Sequence, residues 1–286
     1  MCMARLYNSM SERMESSKTL RNLKSSGRLL ALFICAILGQ ACNSEPPPEA
    51  VSGSGNDKQR AMENVAAADQ FYRQREDLSK LRQGIALLRQ AQIADSANYE
   101  AAWKLAKSAY YLGAHTDNDD ERDEAFRQGI EAGKVAVQLA PDKAEGHFWL
   151  GANYGGSAEH SLVAGLSNVE DIEREMQAVL KIDEGYQSGS AYLGLGQLYL
   201  KAPKILGGDT QKAIGYLEKG LKFGPNNALL RLRLAEAYEA ANRYGDARNQ
   251  IEFIMKMTPS PDFVPEQNEA INEGRKLLEK MDQDRR

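Results

Sequence analysis

The chain has 286 residues, of which 27% are charged, 42% hydrophobic and 7% aromatic. That mixture argues against wholesale disorder, collagen and a protein of many membrane spans. Its 36 Lys and Arg against 40 Asp and Glu give a net charge of −4. Residues 1–42 hold six of the positives and two of the negatives, so residues 43–286 carry −8. A body that acidic lacks the basic face that nucleic acid or an anionic membrane surface requires.

Residues 29–38, LLALFICAIL, form an apolar run of ten. A helix needs about 20 residues to cross a bilayer. Arg21, Lys24 and Arg28 precede the run, and Gly39, Gln40, Ala41 and Cys42 follow it. That order predicts a secretory signal peptide over residues 1–41, with Met14 as an alternative start. Of the three cysteines, Cys2 and Cys35 fall in the signal. Only Cys42 remains, which leaves no internal disulfide and no cysteine metal site. A lone cysteine directly after a signal's apolar core resembles the lipid-attachment cysteine of bacterial lipoproteins, and Cys42 is assigned that role. The usual lipobox has Leu three places before the cysteine; here Gly39 stands there and Leu38 one further back. Cleavage after Ala41 without lipidation therefore stays open. Residues 43–57, NSEPPPEAVSGSGND, are rich in Pro, Ser and Gly, which cannot build a core. Residues 42–57 read as a lipid-anchored flexible tether. The expected address is the bacterial cell envelope, facing the periplasm and held at a membrane, or soluble in the periplasm if Cys42 carries no lipid.

From residue 58 the chain is rich in Ala, Leu, Glu, Gln, Lys and Arg, and shows no period-2 strand pattern. An all-α domain over residues 58–282 follows. A degenerate helical hairpin is expected over about 58–94. After it, one pattern recurs four times: a large residue, then Leu or Ala with a small residue, then Tyr. It reads Trp103…Ala106-Lys107…Tyr110, then His147…Leu150-Gly151…Tyr154. It continues as Tyr192…Leu195-Gly196…Tyr199 and Arg231…Leu234-Ala235…Tyr238. Lys107 breaks the small-residue rule. The last copy, with Ala247 and Pro259, matches a tetratricopeptide repeat (TPR), a hairpin of about 34 residues. The earlier copies are longer and imply insertions between their helices. No such hairpin buries its apolar face alone, so stacking stabilises each one. Trp103, Tyr110, Tyr154, Tyr192, Tyr199 and Tyr238 read as packing residues. In PKILGGDTQKA (203–213), Gly207 and Gly208 permit a tight loop, and Asp209 or Thr210 caps the next helix. Residues 264–282 read as a last helix covering the stack through Val264, Ile271, Leu277, Leu278 and Met281, with its charges facing out.

In a TPR stack the first helix of each hairpin lines the concave face. Registered on the four tyrosines, that face carries Tyr111, Leu112, Phe148, Leu193, Leu200, Leu229 and Leu232. These are the candidate groove-lining residues. An apolar strip of that length does not stay open to water. Either it takes an apolar ligand or partner, or another segment or subunit fills it.

Two strings, EAGKVAVQLAPDKAEGHFWLGANYG (131–155) and LGQLYLKAPKILGGDTQKAIGYLEKGLKFGP (195–225), resemble the T-component of TRAP transporters. The resemblance covers about 60–260. It implies a TPR-like periplasmic lipoprotein that partners a solute-binding protein and forms homo-oligomers with an apolar channel. Similar domains also serve as general protein-interaction scaffolds in envelope assembly. His115, His147 and His160 share no metal-ligand spacing, and HEXXH, GXSXG and P-loop patterns are missing. HTDNDDER (115–122) has Arg122 where a calcium loop needs Gly, so it reads as a solvated helix start. No enzyme, metal or cofactor is expected.

Overall fold

The computed structural model of the chain describes residues 54–160, 167–258 and 263–283. The signal peptide, Cys42 and the tether up to residue 53 lie outside the described residues. Among the described residues eleven α-helices follow in order: α1 (Gly55–Tyr72), α2 (Leu78–Ala94), α3 (Tyr99–His115), α4 (Asp119–Leu139), α5 (Ala144–His160), α6 (Val169–Ile182), α7 (Tyr186–Lys201), α8 (Thr210–Phe223), α9 (Ala228–Ala240), α10 (Tyr244–Lys256) and α11 (Val264–Gln283), with a 3-10 turn at Lys204–Leu206. There is no strand among the described residues. No described helix is long and apolar enough to cross a membrane. Successive helices pair as α1/α2, α3/α4, α5/α6, α7/α8 and α9/α10, and each hairpin packs on the next. The fold is an all-α TPR-type solenoid.

Side-chain caps start many of these helices. Ser54, Asp77, Asn98, Asn118, Asp209 and Asn227 each accept a hydrogen bond from a backbone N–H of the first turn. Each satisfies a donor that the helix leaves unpaired. Ser54 explains why α1 begins at Gly55, inside the stretch whose composition suggests a tether up to residue 57. Asp209 caps α8 as expected, accepting from Gln211 N at 2.8 Å and Lys212 N at 3.0 Å. Before it, Gly207 sits at φ +91°, and a Cβ on Gly208 would lie 1.8 Å from the Ala202 carbonyl oxygen. The loop is therefore structural, with Ile205 turned to solvent. In the first copy the extra residues lengthen the helices instead: α4 has 21 residues, and only residues 116–118 separate it from α3.

The repeat register holds in copies two to four. Cβ atoms added to Gly151 and Gly196 would meet Met176 at 2.7 Å and Leu217 at 2.4 Å, side chains of the second helices α6 and α8. Tyr154, Tyr192, Tyr199 and Tyr238 are buried. Two of them show one packing device. The Tyr199 hydroxyl donates to Glu173 on α6, with Lys212 Nζ 3.7 Å over its ring; the Tyr238 hydroxyl donates to Glu218 on α8 at 2.7 Å, with Arg243 4.2 Å over its ring. Each ring thus locks a hairpin to the one before it.

Copy one is displaced by one residue. Asn227 caps α9 eight residues before its small residue Ala235, and Asn98 caps α3 eight before Ala106, not Lys107. Ala102, Leu105, Ala106 and Ala109 are accordingly among the buried residues of α3, while Trp103, Lys107 and Tyr110 are half-buried. That is why Lys107 breaks the small-residue rule.

Candidate interaction face

The displaced register moves Trp103, Lys107, Tyr110 and Tyr111 to inner positions of α3. They join side chains from both neighbours. Tyr72, at the end of α1, meets Tyr111 edge-on at 6.2 Å between ring centroids. Tyr110 lies 5.8 Å from Trp149 on α5, and Trp149 lies 4.9 Å from Phe148. Phe148 continues to Tyr186 at 5.3 Å. Buried Asn153 ties α5 to α3 by donating to the carbonyls of Ala106 at 2.9 Å and Trp149 at 2.7 Å. The result is an aromatic band across the first three hairpins that ends on Tyr186 at the start of the fourth.

Cations stand on this band. Lys107 Nζ is 3.9 Å from the Tyr72 ring centroid and 6.0 Å from those of Trp103 and Trp149. Burial, then the nearby Arg75 charge, pushes its ammonium down to about 8. Lys104 pairs with Asp69 at 2.8 Å and Glu100 at 3.0 Å. Arg75, in the α1–α2 turn, lies 5.1 Å over Tyr72 and donates to both carboxylate oxygens of Glu266, at 2.8 and 2.9 Å. Glu266 is on the first turn of α11, 191 residues away in sequence. The side chains of this pair are 9% and 24% exposed, so it is largely shielded from water.

Helix α11 has two kinds of seat. Against α9 and α10 it packs closely: Ala270 and Met281 are buried, and Gly274 lies against Ile251, where a Cβ would come within 2.9 Å. Towards the N-terminal hairpins it reaches by charge. There Glu266 meets Arg75; on the α9 side Glu273 also accepts from Arg233, at 3.0 Å. Glu269 faces His115, and burial raises its carboxyl above the usual range, with His115 and Arg233 opposing. A cavity of ≈ 440 Å³ remains under this end, lined by Glu76, Leu78, Tyr111, His115, Pro265, Glu266 and Glu269. Some charges of α11 therefore point inward, which corrects the expectation that they all face out.

The seven expected groove residues do not form one strip. Tyr111 lines the cavity, and Phe148 belongs to the aromatic band. Leu112 lines a different cleft, of ≈ 250 Å³ between α2 and α4, with Ile85 and Ala125. Leu193 and Leu200 are half-buried against the cluster around Leu230 and Leu234. Leu232 is fully buried and Leu229 half-buried, with Ile254, Ala270 and Ile271 around them. The C-terminal part of the expected strip is thus filled by the chain's own α10 and α11. Trp103, Lys107, Tyr110, Arg75 and Glu266 are the inner residues that the tyrosine register passes over; the Asn98 cap would have found the first three.

Elsewhere, His147 Nδ1 lies 2.6 Å from Glu175 and its Nε2 3.0 Å from the Pro141 carbonyl oxygen. This joins α5 to α6. Among the described residues, no group of three or more His, Cys, Asp or Glu is placed to hold a metal ion.

Two family models match the chain. One, described as Regulator of microtubule dynamics protein 1-3, matches residues 64–195; a Tetratricopeptide repeat model matches residues 205–262. Neither is the model of a transporter component. No curated protein matches the chain. Among solved structures, a thermophilic TPR protein of Thermus thermophilus is 18% identical, with a TM-score of 0.57 over 75% of this chain and 98% of that one. A MamA protein is also 18% identical, with a TM-score of 0.46 over 75% of this chain and 95% of that one. At this identity the Thermus likeness shows the fold, a TPR-type stack.

Proposed function

We propose that this chain is a non-enzymatic protein-interaction scaffold of the bacterial cell envelope, facing the periplasm and held at a membrane by acyl chains on Cys42. The observation that carries the scaffold reading is the aromatic band on the first three hairpins. Trp103 and Tyr110 are only partly buried there, beside the buried Trp149 and Tyr111. Aromatic side chains on a rigid concave surface are what a docking partner uses as anchors. TPR repeats supply such a surface, which supports the reading. The anchor rests on the signal-like run and the lone cysteine. Acyl chains contribute about 0.8 kcal/mol per buried methylene, so more than one chain holds a domain at a membrane without a spanning helix.

The test has two arms. Cys42→Ala moves the chain from washed membranes to the soluble fraction if Cys42 carries the anchor; an unchanged distribution rejects the anchor. In-cell cross-linking followed by purification captures a partner protein with the unaltered chain, and Trp103→Ala weakens the capture while the exposed change Lys219→Gln does not. Equal capture by both variants rejects the concave face. A solute-binding protein as the captured partner establishes the narrower role of transporter adaptor. An envelope-assembly protein establishes the general scaffold.

A further inference from the structure

Lys107 stands where the repeat needs no lysine. A packing position calls for a small or apolar side chain, and an exposed one lets an ammonium reach water or a carboxylate. Lys107 is half-buried, and among the described residues its ammonium meets aromatic faces with no ion pair or hydrogen bond. Its neighbours are served: Lys104 by Asp69 and Glu100, Arg75 by Glu266. Arg75 and Lys107 both lie over the Tyr72 ring, at 5.1 and 3.9 Å. Two cations therefore share one aromatic patch; Glu266 pairs with Arg75, whereas Asp69, held by Lys104, and Glu266 act on Lys107 only from a distance. Holding an ammonium there costs desolvation, which a second carboxylate would offset.

The existing carboxylate shows how such a group arrives. Glu266, Glu269 and Glu273 follow one another at helical spacing on α11, so they share one side of that helix. That side meets Arg75, His115 and Arg233. Where it reaches the N-terminal hairpins it leaves the ≈ 440 Å³ cavity, unlike the close seat of Gly274 on Ile251. The first turns of α11 touch the aromatic patch as a ligand does, through charge on a surface they do not fill.

We propose that Arg75 and Lys107, set on the Tyr72–Trp103–Trp149 patch, form a carboxylate-recognition site for an acidic helical segment of a partner protein, and that Glu266 of α11 stands in for that segment in the isolated chain. This rests on the scaffold reading above and gives the partner its chemistry.

The chain's two tryptophans, Trp103 and Trp149, both flank Lys107, so intrinsic fluorescence reports on the site directly. The probe is an acetylated, amidated peptide copying residues 264–283, which contains no tryptophan. Titrated into the full chain carrying Glu266→Gln, it changes the emission saturably. Half-saturation falls at a peptide concentration at least about fivefold lower than with the unaltered chain, whose own Glu266 competes. Adding Lys107→Met removes the response and Lys107→Arg keeps it, with circular dichroism showing both variants folded. The peptide with Gln in place of Glu266 gives no response. No saturable change in the Glu266→Gln chain overturns the site, as does an equal change with Lys107→Met. The same half-saturation with N-acetylglutamate amide overturns the helical part. If cross-linking still captures a partner through Trp103 when the peptide gives no response, the scaffold reading stands and the carboxylate site falls. A peptide response without a captured partner has the opposite meaning.

Discussion

The two halves of the concave face stand on the same hairpin geometry and meet their surroundings differently. From the body of α7 onward the inner face carries leucines, with Arg233 of α9 paired to Glu273 of α11. Leu232 has no exposure, and α11 seals this half by packing Ala270, Gly274 and Met281 against α9 and α10. From α1 to α5 the inner positions are aromatic and cationic. There the same helix α11 arrives through Glu266 and leaves a cavity beside Tyr111 and His115. The backbone scaffold does not decide whether a TPR face is open or filled. Leucines at the inner positions let the helix lie down on them; rings and cations meet the same helix through an ion pair and leave a cavity beside it.

The largest expected effect breaks the comparison directly. Leu232→Asp buries an unpaired charge where the face is sealed. It should cost on the order of 4 kcal/mol or more and unfold the C-terminal hairpins. Phe148→Asp, on the half-exposed aromatic band, should cost clearly less, because its carboxylate can reach water. Thermal unfolding of the two side by side decides, and equal losses would mean that the aromatic band is core as well.

The two seats of α11 can be separated in the same way. Met281 is 2% exposed, so Met281→Ala leaves a cavity and should cost about 2–5 kcal/mol. Glu266→Gln loosens only the charged latch and should cost about 1–2 kcal/mol. Hydrogen exchange should show the whole of α11 released by the first and only its first turns by the second. Release of the whole helix by Glu266→Gln would make the latch its main support.

Gly196→Leu tests the repeat register. Even a Cβ there would lie 2.4 Å from Leu217, so overpacking should cost about 1–3 kcal/mol. Lys219→Gln, on the exposed side of α8, should change the thermal midpoint little. Matching shifts in the two midpoints would refute the pairing of α7 with α8.

The smallest effect is a pH dependence outside the concave face. The hydrogen bond to Glu175 raises the pKa of His147 above its ordinary 6.5, against the burial that lowers it. Burial alone would raise the carboxyl of Glu175, but hydrogen bonds from His147 and Arg174 outweigh it and hold the pKa below 4.5. The His147 contribution is complete below pH 6.5 and fades as pH rises through its raised folded-state value. The Glu175 contribution is complete above pH 4.5 and fades as pH falls through its lowered value. The pair therefore stabilises most between about pH 4.5 and 6.5, and His147→Gln should flatten the loss above that window. An unchanged pH slope in thermal melts of His147→Gln would exclude the pair as its source.

Much of this fold is legible in the sequence, residue by residue. Tyr154, Tyr199 and Tyr238 mark their hairpins, and Gly151 and Gly196 mark the contact between paired helices. Gly207 and Asp209 give the loop and the cap. The first copy shows the limit of spacing alone. Trp103, Lys107 and Tyr110 keep the same separations as the residues one place before them, Ala102, Ala106 and Ala109. Neighbouring positions on a helix point about 100° apart, so a periodic pattern fits two faces nearly as well. Only the Asn98 cap anchors the count. Insertion length has the same ambiguity, since extra residues extend α4 in one copy and form a 3-10 loop in another.

Local propensity, capping side chains and the hairpin repeat are properties of residues close in sequence, so the amino-acid sequence by itself determined the all-α TPR-type stack and most of its register. The occupant of the concave face is a different kind of property. Arg75 and Glu266 are 191 positions apart, and Leu232 is buried by a helix that follows it by more than thirty residues. No periodicity records such pairs. They exist because stacking curls the repeats until α11 reaches the first hairpin, and only that closure decided which inner residues are sealed and which stay within reach of a partner.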